Sequence, residues 1–96
     1  MIRSQLIEQI AEEFPELTPD DAERVVRHVF EEITQTLESG GRVELRGFGA
    51  FSTRLRKARV GRNPKTGDTV DVPSKHVIHF KAGRELLRRL NAKPLK

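Results

Sequence analysis

Gly61-Arg62-Asn63-Pro64-Lys65-Thr66-Gly67 puts one proline at the centre of a basic turn bounded by glycines. Proline lacks an amide hydrogen and carries a rigid apolar ring, so it can enter a stack of bases without burying an unsatisfied donor. Seen alone, such a residue is an ordinary turn proline. Set beside Arg62, Asn63 and Lys65 it reads as a wedge. Arg54, Arg56, Lys57, Arg59, Arg62 and Lys65 surround it in sequence, and their chemistry is charge neutralisation: cations that displace counterions from a polyanion bind it less well as salt rises. Arginine outnumbers lysine in that set, and its planar fork suits bidentate phosphate contact.

Other chemistries find less support. The carboxylates lie mostly on the polar faces of helices, and no Ser, His and Asp combination has a recognised motif spacing, so the chain reads as a non-enzyme. His76 and His79 are three apart in an extended segment, hence on opposite faces, which argues against a shared metal. His28 reads as a solvated helix residue. With no cysteine, disulfides and thiolate metal sites are excluded. We expect neither cofactor nor metal, and no small-molecule substrate.

The charge distribution points to the same partner class as the turn. Residues 1–38 hold 3 Lys or Arg against 10 Asp or Glu, while residues 39–96 hold 15 against 4, so balances of −7 and +11 make the net +4. One surface is made for a polyanion and another faces away from it. RNA readers expose stacking aromatics, and this chain has no Trp, no Tyr and no Phe in its basic stretch, so duplex DNA is preferred. No apolar run is long enough for a membrane span, and Met1-Ile2-Arg3-Ser4 lacks a signal peptide's apolar region, so the expected location is cytoplasmic.

The elements that would position these residues can be read from periodicity. The 96 residues, 27 of them Leu, Ile, Val or Phe, suit one folded domain over 1–96. Leu6, Ile7, Ile10, Ala11 and Phe14 recur at helical spacing up to Pro15, predicting a helix over 4–14. Thr18, Pro19, Asp20 and Asp21 form a helix start, and an apolar stripe from Ala22 through Val26, Val29, Phe30 and Ile33 to Leu37 predicts a helix over 19–38. The stripe is too broad for one short partner helix, which predicts a two-fold dimer. Val26, Val29, Phe30, Ile33, Phe48, Phe51 and Phe80 are its expected core. Strands are predicted over 42–46, 48–60 and 68–81, a last helix over 84–91 and a loose tail over 92–96. Basic side chains fall on both alternating faces before the turn, so residues 53–76 should project as a two-stranded arm, kinked or bulged at Pro73 and unordered at its tip without a ligand. The fold class is α+β, a helical base with a three-stranded antiparallel sheet extended into a β-ribbon.

Gly47-Phe48-Gly49, the GRNPKTG turn, His79-Phe80-Lys81 followed by Gly83, and the two-helix opening together resemble the bacterial histone-like family of DNA-bending proteins, which comprises HU and integration host factor. The likeness covers nearly the whole chain, and Arg42-Val43-Glu44-Leu45-Arg46 is similar to the sequence-selective, integration host factor branch. The resemblance implies an intertwined dimer, with a second copy or an integration host factor alpha subunit, whose two arms follow the minor groove and bend DNA sharply in the nucleoid. It also implies roles in recombination, replication, and transcription and translation control. A sequence-nonspecific, HU-type packaging homodimer would share every feature but the Glu44 and Arg46 signature.

By the same resemblance, Arg46 would enter the minor groove, held by Glu44 in a charge-assisted pair. An ordinary exposed ion pair is the other reading of those two residues. Arg3, Ser4, Arg42, Lys75, Lys81, Gly83 and Arg84 are expected phosphate contacts, those at helix starts through free amides and positive charge. Ser4 reads equally as a plain helix cap. Ala82 departs from the family pattern, which has proline before the glycine that opens the last helix.

Overall fold

The structure, a computed structural model, describes residues 1–92. It divides into two compact units, Met1–Thr36 and a second that begins at Leu37. The tail expected over 92–96 lies, beyond Ala92, outside the described residues.

The first unit holds α1 (Arg3–Glu13) and nearly all of α2 (Pro19–Glu38). Pro19 has no amide to satisfy, and the Thr18 hydroxyl accepts the Asp21 N–H at 3.1 Å, so α2 starts with its free donors partly met. Asp20 and Asp21 complement the positive end of the helix dipole. Ser4 does not cap α1. The helix begins one residue before it, and the Gln5 side chain reaches back to accept the Ile2 N–H at 2.9 Å.

In the second unit β1 (Val43–Leu45), β2 (Gly49–Arg56) and β5 (Lys75–Ala82) form an antiparallel sheet in the order β1-β2-β5, and β3 (Arg59–Arg62) pairs with β4 (Thr69–Val72) as a separate ribbon. The turn from β1 to β2 is closed by the Phe48 N–H on the Leu45 carbonyl at 2.9 Å, with Gly47 at φ +87°, a conformation that costs glycine nothing. Gly49 is required for a different reason. A Cβ there would stand 2.6 Å from Phe80 Cζ and 2.7 Å from the Lys81 carbonyl oxygen. Phe80 thus lies over the glycine, with Phe51 and Phe48 rings at centroid distances of 4.7 and 5.4 Å.

Pairing register divides the sheet's side chains by chemistry. Phe51 opposes Phe80 and Thr53 opposes Ile78, so these share one face with Val43 and Leu45. Ser52 opposes His79, Arg54 opposes Val77 and Arg56 opposes Lys75, so the other face carries the cations, with Lys81 at its end.

The arm's ladder is interrupted at Lys57 and Ala58 and, across from them, at Pro73 and Ser74. Of the kink or bulge expected at Pro73, the bulge does not form. Arg56 pairs with Lys75 and Arg59 with Val72, leaving two residues on each strand, so nothing is inserted and the register runs on unshifted to Arg62 and Thr69. Pro73 cannot donate to a ladder, which is reason enough for the gap.

Neither unit has much of a core. Among the described residues only Ala22 and Val26 are buried apolar side chains. Val29, Phe30 and Phe48 stay 50, 46 and 46% exposed, and Phe80 38%, while Ile33 and Phe51 are half-buried. α3 (Arg84–Asn91) adds Leu87 and Leu90, both about half exposed. Large apolar side chains of this number are normally covered in a folded domain.

Candidate nucleic-acid interface

Two regions of the second unit gather the cations. The first is a groove of about 760 Å³ between the β1–β2 turn, the ends of β2 and β5, and α3. Arg42, Arg46, Lys81, Gly83 and Arg84, separated by roughly forty residues of chain, all line it. What joins them is the pairing of Gly49 with Ala82, which sets the start of α3 beside the β1–β2 turn. The Gly83 N–H donates to the Phe48 carbonyl at 2.8 Å, and a Cβ on Gly83 would come within 3.3 Å of that same carbonyl. The opening of α3 is thereby fixed against the turn that carries Arg46.

Within the groove the expected ion pair is not the one formed. Glu44 pairs with Arg42, Oε1 to Nε at 2.9 Å, and not with Arg46. The reason is local: β1 ends at Leu45, so Arg46 lies in the turn and the alternation that would put it on the Glu44 face stops one residue short. Arg46 is exposed. Arg88 and Asn91 also line the groove, and neither was singled out from sequence. The available signal was their spacing from Arg84, since four and seven residues on a helix return to the same face. Arg88 is paired within α3 to Glu85.

The second region is the arm. Arg54 and Arg56 share the cationic face of the sheet with Lys75 and Lys81, Lys57 stands at the ladder's interruption, and Arg59 and Arg62 belong to β3. Its tip is a closed turn. The Asn63 N–H donates to the Asp68 carbonyl at 2.8 Å, and the Gly67 N–H to the Asn63 carbonyl at 2.7 Å. An Arg62 guanidinium nitrogen reaches the Gly67 carbonyl at 3.2 Å, and Gly67 holds φ +76°. Local hydrogen bonds therefore close the loop. Pro64 and Lys65 are exposed within it.

Arg3 and Ser4 lie in the first unit, in the first turn of α1, where helix amides have no intrahelical acceptor. Arg3 is 3.6 Å from Glu23, which also takes Arg27 at 3.6 Å. No group of three or more His, Cys, Asp or Glu able to hold a metal occurs among the described residues. No described helix is long and apolar enough to cross a membrane.

Comparison with known proteins gives this arrangement a context. The sequence profile of a family described as bacterial DNA-binding protein matches residues 1–91. The chain is 50% identical over 91 residues to integration host factor subunit beta of Histophilus somni (strain 2336), covering 95% of this chain and 97% of that one. Among solved structures it is similar to an Anabaena HU–DNA cocrystal structure, with TM-score 0.85, 35% identity, and coverage of 97% of this chain and 100% of that one. A mutant HU from Thermotoga maritima, 22% identical, shares the fold at TM-score 0.68, with 95 and 100% covered.

Proposed function

The chain belongs to the bacterial DNA-binding protein family, and from that membership we propose that it is an architectural protein that grips the minor groove of duplex DNA and bends the duplex by inserting Pro64. The family consists of DNA-binding proteins and not of enzymes. One observation carries the reading: Pro64 stands exposed at the tip of a two-stranded ribbon whose flanking positions are Arg59, Arg62 and Lys65. A ring exposed at that position is accessible to a partner. Stacked base pairs offer an apolar slot of the right shape. Opening a step costs about a few kcal/mol, and minor-groove proteins of this class kink DNA by about 20–90°, a general range for them. Phosphate contacts along Arg54, Arg56, Lys57, Arg59 and Lys75 offset that cost.

The groove supplies the rest of the grip. Arg46 enters the minor groove and responds to its width and A·T content, while Arg42, Lys81, Gly83 and Arg84 hold phosphates. Glu44 acts on this set through Arg42. Arg3 and Ser4 offer a further phosphate contact at the start of α1. The half-exposed Val29, Phe30, Phe48 and Phe80, together with Val26, Ile33 and Phe51, form the core of a dimer with an integration host factor alpha subunit or with a second copy. Such a protein acts in the cytoplasm on the nucleoid, in recombination, replication, and control of transcription and translation.

An HU-type, sequence-nonspecific homodimer is the second reading, favoured by the likeness to the Anabaena HU–DNA structure. Binding to a pool of duplexes in competition separates the two. Integration host factor behaviour gives a preferred site with A·T-rich flanks, and HU behaviour gives uniform recovery of the pool. If labelled duplexes stay straight when bound at low salt, both readings fail.

A further inference from the structure

We propose that His79 is a further DNA contact that takes up a proton as it meets the phosphates, so that binding tightens as pH falls. The inference deepens the architectural reading given above and rests on it.

His79 belongs to β5 and opposes Ser52 of β2, on the sheet face that carries the cations. Lys81 and Val77 flank it along β5, and Arg54 and Ala50 are its diagonal neighbours on β2. Arg56 and Lys75 continue the face toward the arm. At the other end the groove adds Arg46, Arg84 and Arg88. Glu44, opposite Ala50, is the one carboxylate at these paired positions, and Arg42 holds it at 2.9 Å. His79 thus stands half-buried in the middle of a row of cations. The other two histidines stand elsewhere. His28 on α2 is 3.9 Å from Glu32, and His76 falls on the face shared by Phe51 and Phe80.

Imidazole is the side chain whose ordinary charge change falls between about pH 5 and 8. The arginines, lysines and Glu44 around it keep their charges across that range. A duplex held by Arg54 and Lys81 brings phosphate against the residue between them, and phosphate oxygens favour the imidazolium as a hydrogen-bonded ion. Binding and protonation are therefore coupled, each strengthening the other by the same factor. The sign follows. Affinity is highest at acid pH, where the imidazole is charged before and after binding, and it falls as pH rises until the imidazole is neutral in both. Arginine in its place would grip at every pH, whereas histidine makes one contact of the row conditional on a proton.

The test is calorimetry of binding to one duplex at about pH 6.5 in two buffers of different ionisation enthalpy, which counts the protons taken up. Carboxylates and α-amino groups, with ordinary values of about 4 and about 8, hold their charge there. We expect the unmodified protein to take up roughly half a proton per bound chain. His79→Gln should take up none, while His76→Gln and His28→Gln take up as much as the unmodified protein. Affinity of the unmodified protein should rise about tenfold from about pH 8 to about pH 6, with a salt slope steeper by about 0.9 at the lower pH. H79Q should show neither change. His79→Arg should bind at about pH 8 as tightly as the unmodified protein does at about pH 6, which separates lost charge from lost fold. Proton uptake in H79Q equal to that of the unmodified protein would overturn the proposal, as would uptake lost in H76Q instead, or none in the unmodified protein. Absence of duplex binding at every pH would defeat the architectural reading itself, and the proposal with it.

Discussion

The groove beside α3 and the tip of the arm are both basic and both belong to the second unit, but they are held in opposite ways. Groove residues come from distant parts of the chain and are fixed through backbone approach, Gly83 on the Phe48 carbonyl and Phe80 over Gly49. Tip residues are neighbours in sequence, fixed by five hydrogen bonds within residues 62–68. A surface held by the fold can discriminate among duplexes, because its geometry does not adapt. One held only by itself can enter a duplex, because nothing behind it must move.

The sharpest way to break the groove without touching the tip is Gly49→Val, which drives a branched side chain into Phe80 and the Lys81 carbonyl. Overpacking of this kind costs about 1–3 kcal/mol, read as a lower denaturation midpoint, with exchange at the tip amides unchanged. Equal loosening of tip and body would mean the two are not separately held. On the arm, the double change Arg54→Ala with Arg56→Ala removes two cations from one sheet face. The slope of log affinity against log salt should become shallower by about 1.8, if each contact contributes about 0.9.

Smaller effects sharpen the contrast. Arg46→Ala should lower preference for the best site in a competition by about tenfold while leaving most nonspecific affinity, since one lost groove contact is worth about 1–3 kcal/mol. An equal loss on every sequence would reduce Arg46 to a phosphate contact. Glu44→Gln releases Arg42 from an exposed pair, so affinity on all duplexes should rise by no more than about 1 kcal/mol in titrations at fixed salt.

The same contrast governs what the amino-acid order made legible. The start of α2 is written locally in Thr18, Pro19, Asp20 and Asp21, and the antiparallel arm is written in the Asn, Pro and Gly of its turn. The groove was legible only as a set of residue types. Its assembly depends on which residue of β2 meets which of β5, a long-range fact that no local pattern carries. The Glu44–Arg42 pair depends on where β1 stops, and strand ends are set by the turn that follows: Gly47 at positive φ closes β1 at Leu45 and takes Arg46 out of the alternation. At the tip, the Asn63 and Thr66 side chains accept hydrogen bonds from nearby amides, a detail that composition alone does not reveal.

The central claim is that Pro64 bends DNA by entering a base step. Its most direct test is the end-to-end distance of a short, doubly labelled duplex, measured by energy transfer with Pro64→Ala and with the unmodified protein, each at saturation. The account predicts a bent duplex with the unmodified protein and a markedly straighter one with Pro64→Ala, at an affinity reduced far less than the bend. The same bend with both proteins would contradict it.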